Sequence, residues 1–242
     1  MNEKDTYNSI AEYYDYMLPK NPEREAFFSK IFEINGVKSV LDCACGTGND
    51  LILFNSFGLN VTGSDLSDSM LNVAKTKIQN INPPITLIKA DFQKLSEHFN
   101  QKFDAVVCLS NAINEIDIDV NMTLKSFKSV LNKNGIMIFD QGHTDFSMKE
   151  PVKHSSEVNT RDFSRLFTMD YCDSIMKVQI YDFLHTEDKN DFKYSEFFIK
   201  INLYNDWQKI LKSENLSGEF YGDWNLNKYS KGYSRRLIIV AK

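Results

Sequence analysis

The sequence predicts an α/β protein: a doubly wound, seven-stranded sheet into which an antiparallel β-meander is inserted. Three observations carry this. Short apolar runs that end on aspartate alternate with stretches of helical periodicity. A tight, glycine-bearing turn follows the first of those runs, at 42–48. From Arg161 to Leu203 the alternation stops, and strand-like segments follow one another directly.

The first helix is expected from Asn21 to Ile34. Asn21 suits the N-cap, Pro22 the first helical position, and Glu23 and Glu25 the positive end of the helix dipole. Phe27, Phe28, Ile31 and Phe32 then fall at helical spacing. Val37–Leu41 reads as a strand ending on Asp42. Beyond Gly48, Leu51, Ile52, Phe54 and Phe57 make one helical face, with Gly58 as its C-cap. The unit repeats: Val61–Ser64 is a strand ending on Asp65, and Ser67 caps a helix through Met70, Leu71, Ala74 and Ile78. Ile85–Ala90 is a strand ending on Asp91. Phe103–Leu109 is continuously apolar, as strands buried on both faces of a parallel sheet are. Asp119 opens a helix through Leu124, Phe127, Val130 and Leu131 that Gly135 breaks, and Ile136–Phe139 is the next strand, ending on Asp140. Arg161–Cys172, Ser174–Thr186 and Phe192–Leu203 are β segments rich in Phe, Tyr, Ile and Val, with a polar turn at His185–Asn190. A helix over Asn205–Glu214 and strands Gly218–Tyr221 and Arg235–Ala241 complete the sheet.

Composition narrows the function classes. A chain of 242 residues, 42% hydrophobic, can bury one generous core with an insertion. A net charge of -5 argues against gripping a nucleic-acid backbone. Met1–Thr6 is polar, and no window reaches the ~18 uninterrupted apolar residues of a membrane span. A soluble, cytoplasmic protein is expected. Cys43, Cys45, Cys108 and Cys172 read as reduced thiols, since Cys43-Ala44-Cys45 has the wrong spacing for a zinc knuckle; no metal is expected.

In an open α/β sheet, ligands bind beyond the carboxyl ends of the strands. Asp42, Asp65 and Asp91 stand at three such ends. The glycines after Asp42 let the backbone bend sharply and approach a ligand, and Asp65, seventeen residues past Gly48, can reach two ribose hydroxyls. A nicotinamide fingerprint requires a third glycine where Leu51 stands, and no phosphate loop of the G-x-x-x-x-G-K-[ST] type is present. An anion at Asp42 suits a pyrophosphate poorly and a ligand bearing an ammonium and a sulfonium well. That favours S-adenosylmethionine over a dinucleotide.

The segment Val40-Leu-Asp-Cys-Ala-Cys-Gly-Thr-Gly-Asn-Asp50 resembles motif I of class I S-adenosylmethionine-dependent methyltransferases. Val61–Met70 resembles their acidic second motif, Ala90-Asp91-Phe92 their adenine-contacting motif, and Phe103–Asn111 their fourth-strand motif. The wording is most similar to the glycine N-methyltransferase-like group and related small-molecule enzymes. The resemblance implies a Rossmann-like core over 37–145 and 204–242, an N-terminal helical lid over 1–36, and a β insertion over 146–203 that closes on the substrate. It implies that Ala44, Gly46 and Gly48 pack beneath the methionyl part and ribose, with Asp65 on the ribose diol. Leu66 and Met70 would flank adenine, Asp91 would accept from its amino group, and Phe92 would lie beside it. The Leu109 carbonyl would sit near the methionyl ammonium, Tyr14 would roof the methyl or carboxylate, and Arg24 is a further candidate for the carboxylate. Tyr221-Gly-Asp-Trp224 and Ser234-Arg-Arg-Leu237 resemble the group's closing segment. No arginine follows Asp140 where glycine N-methyltransferase holds its substrate's carboxylate, which argues against glycine as acceptor.

The expected reaction is in-line methyl transfer to a nitrogen or oxygen of a small molecule, which positioning and desolvation largely serve. Tyr14, Asn111 and His143 are the catalytic candidates, His143 as a general base. Asn111 and Asn114 could orient an amine or close a turn, and Glu115 is equally ambiguous. A protein or RNA methyltransferase and a non-catalytic cofactor-binding module stay open as rival readings. Monomers and oligomers, a homodimer among them, are all allowed.

Overall fold

Strands without a polar face end up inside. The computed structural model describes residues 7, 10–17, 20–185 and 190–242. Its strands β1 (Ser39–Asp42), β2 (Asn60–Asp65), β3 (Thr86–Lys89), β4 (Phe103–Cys108) and β5 (Leu131–Gln141) pair in parallel. Strands β6 (His154–Asn159), β7 (Phe163–Cys172), β8 (Ile175–His185) and β9 (Asn190–Lys200) form a separate antiparallel sheet. The chain then returns to the first sheet with β10 (Gly218–Tyr221) and β11 (Leu237–Ala241), where β11 lies antiparallel between β5 and β10. Across the seven-stranded sheet the order is β10-β11-β5-β4-β1-β2-β3. The order reverses between β1 and β4, so the crevice beyond their carboxyl ends is the natural ligand site.

Helices α1 (Pro22–Ile34), α2 (Asn49–Ser56), α3 (Asp68–Ile78), α4 (Val120–Ser129) and α5 (Tyr204–Ser213) cover the sheet. The caps act as their residue types require: Asn21 accepts from Arg24 N at 2.8 Å, Ser67 from Met70 N at 3.2 Å, and Asp119 from Met122 N at 3.0 Å. Alternate residues of each strand supply two cores. Val40, Ile136, Ile138 and Ile238 face Phe27, Phe28, Phe32 and Phe54, whose rings meet edge-on or tilted at 5.1–5.7 Å. Leu41, Met137, Phe139 and Ile239 face Leu124, Phe127 and Trp207 on the other side. Burying one such side chain contributes ~1.5–3 kcal/mol.

Three sequence expectations need correction. Leu131 belongs to β5 rather than to the preceding helix, and Gly135 lies within that strand. Leu131 pairs with Phe103 and Ile136 with Ala105, so the intervening residues bulge out, and Asn132 Nδ2 donates to Asp104 Oδ1 at 2.7 Å. A Cβ on Gly135 would lie 2.8 Å from Leu131 Cδ2, which is why glycine stands there. Second, the meander has four strands, not three. Its extra member, β6, is too polar to announce itself and pairs at the sheet edge with β7 through a register shift. Third, the last strand begins at Leu237 rather than Arg235. Residues 1–6 of the expected lid and 186–189 of the expected turn lie outside the described residues.

The inner face of the meander, with Met176, Val178, Ile180 and Ile199, packs on Ile10, Ala11 and Met70. A charge pair is sealed within it. Arg165 and Asp182 are direct cross-strand neighbours, 0% and 2% exposed, joined by two hydrogen bonds of 2.6 Å. The guanidinium also lies 5.2 Å over the Phe163 ring.

Candidate active site

Beyond β1 the chain turns through Cys43–Gly48 into α2. Gly46 (φ +51) and Gly48 (φ +83) take left-handed conformations that side chains disfavour. Asp65, at the end of β2, straps this turn down: its Oδ2 accepts from Gly46 N at 2.8 Å and its Oδ1 from Ser67 N at 2.9 Å. Burial raises the Asp65 carboxyl pKa, and those backbone N–H groups pull it back. Each carboxylate oxygen keeps a further lone pair.

A cavity of about 990 Å³ opens over the turn, at the upper end of the size expected for a small-molecule site. Asp65, Leu66, Met70, Asp91 and Phe92 form one part of its wall, and Ala44, Gly46, Leu109 and Ser110 another. Asp91 Oδ1 also accepts from Gln93 N at 2.9 Å, capping the short helix after β3. A third part of the wall holds Arg24, Asp50, Asp140, Trp224 and Arg236. Arg24 forks onto Asp50, with one bond of 2.7 Å, and Arg236 pairs with Asp140. Both guanidiniums stack on Trp224, at 5.3 and 5.2 Å from its ring centroid. Asp140 also accepts from Ser110 N at 2.8 Å, which ties β5 to the strained β4 end where Ser110 (φ 58) and Asn111 (φ 68) are both left-handed.

The short 3-10 segment Ala11–Met17 roofs the turn. Tyr14 Cε1 lies 3.8 Å from where a Cβ on Gly46 would stand. Asp15 latches this lid: its Oδ1 accepts from Thr47 Oγ1 at 2.5 Å and Asn49 Nδ2 at 3.0 Å, and its carboxylate pairs with Lys77. On the far side Tyr13 stacks on Phe163 of the meander at 4.3 Å, and Tyr7 donates to Glu115 Oε1 at 2.5 Å. Burial, with the charges of Asp65 and Glu115 nearby, drives the Tyr14 phenol pKa far up, so it stays protonated. A smaller chamber of about 100 Å³ lies between lid, β4 mouth and meander, sharing Tyr7, Tyr14, Met17, Ser110 and Glu115 with the large cavity.

Known proteins resemble this chain in sequence and in fold. Residues 40–135 match the family model described as a methyltransferase domain. The similarity is thus to methyltransferase domains, over the segment that runs from β1 into β5. A glycine/sarcosine N-methyltransferase of Aphanothece halophytica is 34% identical over 129 residues, spanning 52% of this chain and 49% of that relative. The putative methyltransferase YqeM of Bacillus subtilis is 34% identical over 154 residues, 62% of this chain and 60% of its own length. This chain thus spans half to three-fifths of the length of these curated relatives. An S-adenosylmethionine-dependent methyltransferase from Clostridium acetobutylicum shares the fold with a TM-score of 0.83 at 22% identity, over 98% of both chains. The Rossmann-like fold expected for the methyltransferase domain is the one observed. Among the described residues no helix is long and apolar enough to cross a membrane, and no cluster could hold a metal ion.

Of the residues singled out in the sequence, Tyr14, Arg24, Ala44, Gly46, Asp65, Leu66, Met70, Asp91, Phe92 and Leu109 line the large cavity, and Asn111 lines the small chamber. Three expectations need correction. Asp42 is 2% exposed and sits behind the turn, where its Oδ1 accepts from Ala44 N at 3.4 Å and burial raises its carboxyl pKa; it is not in the cavity wall. Gly48 is not in the wall either, and its missing Cβ makes room for Ala74, whose Cβ would be 3.1 Å away. His143 borders neither cavity: its Nε2 lies 3.3 Å from Met176 Sδ, and burial lowers its basicity. Asn114 closes loops, bonding Gln141 and Asn202 at 2.9 Å each.

Sequence reasoning missed Asp15 as the latch and Asp50, Asp140, Trp224 and Arg236 as cavity wall. The strand-end position of Asp140 and the place of Asp50 in the segment after the glycine turn gave a signal for those two. The lid contacts gave none, because Tyr7 and Glu115 are 108 residues apart.

Proposed function

We propose that this protein transfers the methyl group of S-adenosylmethionine to a nitrogen or oxygen of a small molecule. The observation that carries the reading is the strapped glycine turn under a latched tyrosine: Asp65 holds Gly46 N, and Tyr14 closes the turn from above. The donor set fits the cofactor. Asp65 would take the ribose diol, Leu66, Met70 and Phe92 would flank the adenine, and Asp91 would accept from its amino group. The Leu109 carbonyl would hold the ammonium, and Arg24 would offer its remaining N–H groups to the carboxylate while Asp50 holds the rest. The bound cofactor supplies an electrophilic methyl on a sulfonium that leaves readily. What the chain adds is position and dryness: the lid and meander exclude water, and the β4 mouth sets the line of approach.

The N-methyltransferase name of a relative and the acidic cavity wall support a small-molecule acceptor over a nucleic acid. A cytoplasmic setting goes with this reading, since all four cysteines are free thiols.

Titration calorimetry with S-adenosylmethionine tests it. A dissociation constant on the order of micromolar is expected, in the usual range for metabolite sites. Asp65→Ala removes two hydrogen bonds to a charged acceptor, ~1.5 kcal/mol each at the low end, and weakens binding about 100-fold. Wild-type protein silent at millimolar cofactor would sink the proposal.

A further inference from the structure

Taking methyl transfer as the activity, we propose that the small chamber is the acceptor site and that Glu115 selects an amine there, with the acceptor's apolar body lying against the meander. The two compartments meet where Tyr7, Tyr14, Ser110 and Glu115 line both. Among the described residues lining the chamber, Glu115 is the one charged side chain. The rest of the wall is largely apolar, with Phe167, Ile180, Phe197 and Ile199 supplied by the meander. A carboxylate set among aromatic and aliphatic walls attracts an ammonium-bearing group and repels a carboxylate or phosphate. A hydroxyl gains no charge complement from it.

The carboxylate is held in place from both sides. Glu115 forms an antiparallel bridge with Ile199 of β9, and Ile116 N donates to Phe198 O at 3.0 Å. Behind it the β4 mouth is braced by its two left-handed residues, Ser110 and Asn111. Tyr7 donates its hydroxyl to Glu115 Oε1 at 2.5 Å, and burial together with the Glu115 charge keeps that phenol protonated. Tyr7 is thus a donor that orients the carboxylate, not a base.

The chemistry balances without a further co-reactant. The amine, bound as its ammonium, first gives a proton to solvent and then reacts in its neutral form. Its lone pair forms the new N–C bond, the C–S bond breaks, and that pair stays on sulfur. Positive charge therefore moves from sulfur onto nitrogen, beside the Glu115 carboxylate, and the extra proton on nitrogen is then lost to solvent. Glu115 acts on the charge that arrives on nitrogen, an effect strengthened in a low-dielectric chamber.

A merely structural Glu115 would hold Tyr7 and do nothing else, and Glu115→Gln separates the two roles. The amide oxygen still accepts from Tyr7, while the charge is gone. The probes are benzylamine and benzyl alcohol, a matched pair, titrated by calorimetry into wild type and Glu115→Gln saturated with S-adenosylhomocysteine. Wild type should bind benzylamine at least tenfold more tightly than benzyl alcohol, and the variant should lose that preference while binding S-adenosylhomocysteine as wild type does. Equal binding of the two probes by wild type, or a preference that survives in Glu115→Gln, overturns the assignment. Absence of S-adenosylhomocysteine binding to wild type overturns the methyl-transfer reading and this inference with it. Cofactor binding without amine preference overturns the Glu115 assignment alone.

Discussion

Arg165 and Asp182 set two opposite charges on the buried face of the meander that also carries Met176, Val178 and Ile180. Asp182→Leu would leave the guanidinium with a 3.5 Å contact to the Tyr13 carbonyl and the face of Phe163. Neither replaces two charge-assisted bonds of 2.6 Å. A buried charge stripped of its partner costs ~3–5 kcal/mol. In a chain of this size each kcal/mol lowers the melting temperature by ~2–4 °C, so a fall of ~6–20 °C is expected. Arg165→Met with Asp182→Leu removes both charges at once. Exchanging a whole buried pair for apolar groups of similar volume is neutral or stabilising by ~1–4 kcal/mol. The double variant should therefore melt at or above the wild-type temperature in scanning calorimetry. If it melts as low as the single variant, the unpaired charge is not the cause, and the fit of the side chains carries this part of the sheet. The Tyr13–Phe163 stack survives both changes, so cofactor affinity should be unchanged in the double variant.

Two further outcomes follow from backbone and burial. Gly48→Ala must hold φ +83 and push against Ala74, whereas Gly36→Ala at φ +62 meets nothing within 4 Å. Both incur the ~1–2 kcal/mol of a left-handed alanine, and urea unfolding should show the larger loss at Gly48; equal losses would mean that Ala74 yields freely. For His143, burial sets the folded pKa below the ordinary value of 6.5, so the unfolded chain takes up the proton first as pH falls. Its contribution is whole above pH 6.5 and is lost as the pH falls toward the folded pKa, at up to ~1.36 kcal/mol per pH unit. His143→Leu should flatten the stability curve between pH 7 and 5; an unchanged slope would rule this group out.

Legibility in the sequence tracked how local the determinants were. The caps at Asn21, Ser67 and Asp119 act on backbone three residues away, and the buried strands announce themselves by their own apolar runs. The glycine turn and Asp65 were readable as well, since backbone conformation at Gly46 and Gly48 is a property of the turn itself. Errors came where a distant segment decides. His143 looks like an exposed loop residue until Met176, thirty-three positions on, folds over it. Asp42 shares its strand-end position with Asp65, but the one is sealed behind the turn and the other faces the cavity. β6 was hidden because an edge strand needs no apolar run, and the bulge after Leu131 because hydrophobic spacing does not distinguish a helix end from a strand beginning.

Tyr7 and Tyr14 wall two compartments at once. A segment so placed cannot swing aside for one occupant and stay shut for the other. Whatever enters either compartment meets the same two rings, and Asp15, bound to Thr47 and Asn49, ties the position of those rings to the glycine turn itself.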